Sequence, residues 1–189
     1  VVISLAALAL LSRLPLMSGS LDEIDAANFV NALTHGYDVP LLRPHPPGYP
    51  VYIFMGWTLN GIVRDPLLSL TLLSAILGSL AVIPFYSLLR DFTGASIALV
   101  GTLLFIFNPL FWTFSESALS DVPSVFFVLL LAWLAYRGRH SDGALMSASI
   151  LTALAIGIRT SNVVMLLLLA FSFGYRLKVL KHLSVPLLL

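Results

Sequence analysis

The sequence predicts an all-α fold, a polytopic membrane helical bundle, and three observations carry that prediction. Of 189 residues, 59% are hydrophobic and 10% charged, with a mean hydropathy of +0.99. A soluble domain carries about 25% charged residues, so a water-facing fold of this size lacks the polar surface it needs. Apolar runs recur at about 1–17, 49–63, 66–89, 95–114, 118–136, 143–158 and 161–175, separated by short polar marks. The strong basic clusters fall at alternate ends of these runs, as the positive-inside rule demands.

A spanning helix needs roughly 20 residues. The run 1–17 reads as a first helix; a signal peptide is the competing reading, opposed by Arg13 and by the lack of a small-residue cleavage site. Runs 66–89 and 95–114 are long enough to span, with Pro84 as a kink and Asn108-Pro109 as a kink or helix end. Run 118–136 spans with Asp121 at its mouth, and the runs at 143 and 161 extend into their flanks. Run 49–63 is different. It is short, holds Gly56 and Asn60, and is bordered by Tyr49, Tyr52 and Trp57, the composition of an interfacial helix.

Topology favours the interfacial placement. With 49–63 on the bilayer surface, Arg90, then Arg137, Arg139 and His140, then Arg176, Lys178 and Lys181 all face the cytoplasm. Arg13, Arg43, Arg64 and Arg159 are the exceptions. The same arrangement gathers Asp22, Glu23, Asp25, Glu116, Asp121 and Arg159 on the outer side. The first outer loop is then about 18–64 and the second about 115–121, within one transmembrane domain over 1–189. The apolar ends at Val1-Val2 and Leu187-Leu188-Leu189 read as a fragment cut inside membrane helices. A net charge of +1 gives no argument for a nucleic acid partner, and the absence of cysteine excludes a disulfide framework or thiolate metal site.

The outer loops hold the residues that could carry chemistry. Ser20-Leu21-Asp22-Glu23 has capping-box spacing and predicts a helix over about 21–34, ending near Gly36. Asp22 and Glu23 then sit in its first turn, where the helix dipole accounts for them. Asp25 lies past that turn and shares a face with Asp22, Asn28 and Phe29. Four prolines within 44–50 make Arg43-Pro44-His45-Pro46-Pro47-Gly48-Tyr49-Pro50 a stiff, extended strut that holds His45 and Arg43 near Asp25, with Gly48 allowing close backbone approach. The plainer reading is a re-entry loop before a helix.

In the second loop, Asp121-Val122-Pro123 reads as a helix start with Asp121 at the N-cap. Glu116 ends a helix, where the dipole disfavours an acid, and so has no capping role. Asp25 with Glu116 and Asp121 forms a candidate carboxylate set, acting as base and metal holder, with His45 as a further ligand. Arg159, between two apolar runs, either snorkels to lipid head groups or serves as a fixed cation for phosphate.

These segments resemble a known family. Asp25-Ala26-Ala27-Asn28-Phe29 with Ala32-Leu33, followed by Pro44-His45-Pro46-Pro47-Gly48-Tyr49-Pro50, is similar to the first outer loop of C-type (GT-C) integral-membrane glycosyltransferases. Protein O-mannosyltransferases and the aminoarabinose transferase of lipid A are relatives. Glu116-Ser117-Ala118-Leu119-Ser120-Asp121 resembles their second outer loop, and Gly157-Ile158-Arg159 the end of a later helix. The resemblance implies a donor sugar on a polyprenyl phosphate and inversion at the anomeric carbon. It implies a first-loop acid acting as base on the acceptor hydroxyl. Asp25 matches that acid best, with Phe29 following it, and Asp22-Glu23 resembles the family's Asp-Glu pair. His45, Arg43, Glu116, Asp121 and Arg159 become candidates for binding donor phosphate or acceptor, and a divalent metal is a candidate cofactor. The implied partners are the lipid-linked donor and membrane lipids. The implied location is a plasma or inner membrane, with an extracytoplasmic site. A multi-pass transporter and a non-catalytic membrane subunit of the same fold are the alternatives; acids clustered in loops, not at mid-membrane, favour the enzyme.

Overall fold

The computed structural model describes residues 1–21 and 23–184, those from 176 to 184 by backbone alone; Asp22 and the terminal leucines lie outside the described residues. The described residues fold into an all-α bundle: α1 (Val2–Arg13), α2 (Ile24–His35), α3 (Pro50–Val63), α4 (Pro66–Thr93), α5 (Ala95–Ile106), α6 (Pro109–Phe114), α7 (Asp121–Gly138), α8 (Asp142–Ile158) and α9 (Leu166–Ser184). Short 3₁₀ turns at Leu14–Leu16, Val39–Leu41 and Thr160–Met165 join them.

Two of these helices, α4 and α7, are by themselves long and apolar enough to cross a membrane. At 28 residues α4 is about 42 Å long, and it is the central post, packing against α1, α3, α5 and α7. Its buried face is rich in small residues, Ser69, Ser74, Ala75, Gly78, Ser79 and Ala81, which let neighbouring backbones come close. Gly78 is a point of close approach: a side chain there would run into Val122 and Ser115, so α7 and the loop before it lie directly on α4. Buried hydroxyls bond back to their own helix, as with Ser79 to the Ala75 carbonyl (2.7 Å) and Thr102 to the Ala98 carbonyl (2.6 Å). An apolar surrounding tolerates them for that reason.

The 95–114 run does not form the single span expected of it. Proline lacks the amide that would continue the ladder, and the Asn108 side chain accepts from the Phe111 amide (3.0 Å), starting a new helix. α5 is therefore 12 residues, about 18 Å, well short of a hydrocarbon core of about 30 Å. Pro84, by contrast, is carried inside α4. α9 begins only at Leu166, because the backbone after Arg159 first makes a 3₁₀ segment.

α3 turns back on the start of α4 through a two-residue connection, Arg64-Asp65. Gly56 rests on Leu70, and the Ser69 hydroxyl donates to Asn60 Oδ1 (3.3 Å). At 14 residues α3 is about 21 Å long, too short to cross a bilayer. One side of it, Tyr52 and Ile53, enters the main core with Phe29, Leu70 and Ile158, while Phe54 and Ile62 face out.

Candidate active site

The first loop builds its chemistry on the start of α2. That helix opens at Ile24, three residues later than the capping box predicts. Ser18 Oγ donates to the Ser20 carbonyl (3.1 Å), and Ser20 precedes the helix without being its N-cap. Glu23 takes the N-cap position in an extended conformation without a side-chain cap bond. The consequence is a correction: Asp25, not Glu23, is the acid in the first helical turn, and it gains the dipole's stabilisation.

Asp25 is exposed, and His45 reaches it from the proline-rich loop with Nε2 3.6 Å from Asp25 Oδ1. The same nitrogen lies 3.1 Å from the Tyr49 hydroxyl. Phe29, one helical turn after Asp25 and 1% exposed, forms the floor beneath both rings, at 5.3 Å from His45 and 5.0 Å from Tyr49. His45 Nδ1 is buried without a partner among the described residues.

The 43–50 segment is not the extended strut expected from its prolines. It turns repeatedly; the Gly48 amide returns to the His45 carbonyl (3.1 Å). Gly48 has φ +106 and lies against Tyr37 and Val39 where a side chain would stand, so only glycine fits. That turn is what delivers His45 and Tyr49 to one place. Arg43 is not delivered with them: it pairs with Asp38 (3.4 Å) and donates to the His35 carbonyl (3.2 Å), closing the loop behind α2.

The second loop makes a separate ion pair. Ser120 is the N-cap of α7 and Asp121 its first residue, so Asp121 is free of the capping role expected of it. Asp121 instead pairs with Arg159, which leaves α8 in an extended conformation. Beneath them Asn162 donates to Ser124 Oγ (2.8 Å) and to the Ala155 carbonyl (2.8 Å), fixing the crossing of α7 and α8. The pair stands at the edge of a cavity of about 440 Å³ walled mostly by apolar residues, among them Phe105, Leu110, Phe114 and Val125, with Asn108, Ser124 and Ser161 as its other polar residues.

Glu116 does not join Asp25 and Asp121, contrary to the carboxylate set read from the sequence. Burial pushes its carboxyl above the usual range, against the opposing pull of Trp112 and of Arg13. Arg13 is completely buried, donates to the carbonyls of Ala9 (2.8 Å) and Ile106 (2.9 Å), and lies over the Phe111 and Trp112 rings. Among the described residues no three His, Cys, Asp or Glu side chains converge as a metal cluster; Asp25 and His45 meet without a third donor.

The two remaining clusters share one end of the bundle, and Tyr49 is the group that registers both. Burial raises its phenol above the ordinary value; the Arg159 charge acts to lower it, and those of Asp25 and Asp121 to raise it. The packing reason is Gly157: Val51, in the first turn of α3, occupies the space a side chain there would need, so α3 and the end of α8 touch two residues before Arg159. Tyr49, Asn162 and Ser124 were not singled out from the sequence. Tyr49 had a signal, since it follows the glycine of the turn, and Asn162 was a lone amide in an apolar run.

No curated protein and no solved structure matches the chain. Residues 44–188 match the family model of dolichyl-phosphate-mannose-protein mannosyltransferases, a stretch that begins at the proline-rich loop and takes in Tyr49, Asp121 and Arg159. The chain therefore belongs to that family of integral membrane, C-type glycosyltransferases, whose donor is a polyprenyl-phosphate sugar.

Proposed function

We propose that this chain transfers a hexose of the mannose type from a polyprenyl-phosphate donor to a lipid, glycan or protein hydroxyl on the extracytoplasmic side of the membrane, with inversion. The acceptor oxygen attacks the anomeric carbon. The bond from that carbon to the phosphate oxygen breaks, and the acceptor proton passes to Asp25. His45 holds the Asp25 carboxylate and the Tyr49 hydroxyl in place, and an exposed acid within reach of an imidazole suits a base that must take up and release a proton. Arg159 offers the departing polyprenyl phosphate a fixed cation, and its guanidinium suits a phosphate by fork geometry. The apolar cavity beside it accepts the first isoprene units. Glu23, at the N-cap of α2, stands two residues before this base.

The observation that carries this reading is the contact of Val51 with Gly157, which sets the start of α3, beside the cluster of Asp25, His45 and Tyr49, against the end of α8 two residues before Arg159. A base and a cation for the leaving group must flank one reacting carbon from opposite sides for inversion, and two loops from distant sequence supply them. The test is sugar transfer by the full-length protein from polyprenyl-phosphate mannose, with Asp25→Asn as the variant. Loss of transfer with retained donor binding is expected. Undiminished transfer removes Asp25 from the base role, and uptake of an ion coupled to Asp25 places the chain among transporters.

A further inference from the structure

The end of the bundle away from this site holds a second cavity system that the transfer reaction does not use. α7 carries the chain about 27 Å from Asp121 to Gly138, and Arg139 follows. There an interhelical cleft of about 210 Å³ lies between α4, α7 and α9, walled by Leu88, Phe92, Ala132, Leu168 and Phe171. It is almost wholly apolar except at one edge, where Arg139 and Tyr136 stand. The same two residues also line an adjoining polar cavity of about 410 Å³ with Arg137, His140 and Asp91. A slot for a hydrocarbon chain thus opens directly into a basic rim.

The Arg139 guanidinium is set for an anion. Its Nε donates to the Tyr136 carbonyl (3.0 Å), and its Cζ lies over the Tyr136 ring at 3.8 Å and the Tyr175 ring at 5.5 Å from their centroids. Two aromatic faces and one carbonyl fix its plane, leaving the outer nitrogens of the fork directed by packing, not by an acid. Among the described residues no carboxylate pairs with Arg139; Asp91 lies 3.9 Å from Arg137 instead. Arg90 in the last turn of α4 adds a further positive charge at this end and Asp142 at the start of α8 a negative one, and the α9 sequence contains no acid. A surplus of positive charge beside an apolar interhelical slot suits a lipid phosphate better than a protein carboxylate or a neutral lipid.

We propose that this cleft binds one anionic phospholipid, its phosphate on Arg139 and one acyl chain between α4, α7 and α9. The bound lipid would fill the gap that leaves Phe92 and Phe171 exposed and would tie α9 to α7. The site is independent of sugar transfer, so its test does not depend on the outcome for Asp25.

The experiment uses the full-length protein in detergent, loaded with an equimolar mixture of dioleoyl phosphatidylglycerol and dioleoyl phosphatidylcholine and read by native mass spectrometry. Retention of phosphatidylglycerol over phosphatidylcholine by about tenfold is expected, the value of one charge-assisted contact. Arg139→Gln brings the two lipids to parity, and Arg139→Lys keeps part of the preference. Ala132→Phe, which fills the slot, removes both lipids. Free glycerol phosphate in excess leaves the lipid in place. Parity in the wild type, or an unchanged preference in Arg139→Gln, overturns the proposal. Displacement by glycerol phosphate together with a silent Ala132→Phe also overturns it, because the rim then takes phosphate without lipid. A measurement that needs no variant completes the test. A phosphatidylglycerol with a diazirine in its acyl chain must label peptides of α4, α7 or α9 in the wild-type protein, and labelling confined to other helices overturns the assignment.

Discussion

Two acids five residues apart in the same loop, Glu116 and Asp121, meet opposite fates. Glu116 is partly buried within the field of Arg13, a guanidinium with no exposure that donates to the carbonyls of Ala9 and Ile106. Asp121 turns to Arg159, which keeps a third of its side chain exposed at the edge of an open cavity. The first arginine mends the backbone where Asn108-Pro109 breaks the helix; the second stands where a ligand can reach it. The sequence makes Glu116 the stronger candidate of the two, because Asp121 reads as a helix N-cap and Glu116 has no capping role. Burial separates them, because a guanidinium sealed among carbonyls and aromatic rings has no remaining face for a substrate.

The comparison can be broken most sharply at the base. Asp25→Asn is expected to lower transfer by about 10²- to 10⁴-fold, the usual worth of a general base, with circular dichroism unchanged. Arg13→Leu strands the buried Ile106 carbonyl, the Ala9 carbonyl keeping its bond from Ser12, and removes the opposing charge near Glu116; it should cost about 3 kcal/mol of stability, read as loss of the monodisperse peak on heating in detergent. If Arg13→Leu instead left stability intact and abolished donor binding, the roles assigned to the two arginines would be reversed. Arg159→Gln should lower transfer by about 10²-fold with little change in thermal stability, since its partner Asp121 is half exposed and can be solvated. Asn162→Ala, which unties Ser124 and Ala155, should cost about 1–2 kcal/mol and loosen the α7–α8 crossing under Arg159.

The smallest effect is a pH dependence. Because burial holds the Glu116 carboxyl above its ordinary value of 4.5, the folded protein binds that proton more tightly than the unfolded chain. The associated stability is present below the ordinary value and is lost as pH rises through the raised one. Glu116→Gln should flatten that fall; Asp121→Asn should leave it in place, and the opposite result would erase the distinction between the two acids.

Much of this was legible beforehand where a residue's own chemistry decides. Gly36 ends α2, Asn108-Pro109 ends α5, and Gly48 permits a backbone approach that any side chain forbids. The resemblance of the proline-rich loop pointed to the family that residues 44–188 match. The capping-box spacing sets the start of α2 three residues too early; the N-cap falls on Glu23, which puts Asp25 in the first turn. Arg43 was placed near Asp25 by spacing, yet Asp38 lay closer along a loop that folds on itself.

By itself the sequence determined the all-α class, the helix breaks and the family, since composition, proline and glycine act through local sterics and solvation. The tertiary structure decided which charges meet. An ion pair is chosen by where helices cross and how deeply each partner is buried, and the glycines at 78 and 157 set those crossings through contacts far apart in the chain. Asp25 with His45 and Asp121 with Arg159 are consequences of that packing, as is the burial of Arg13.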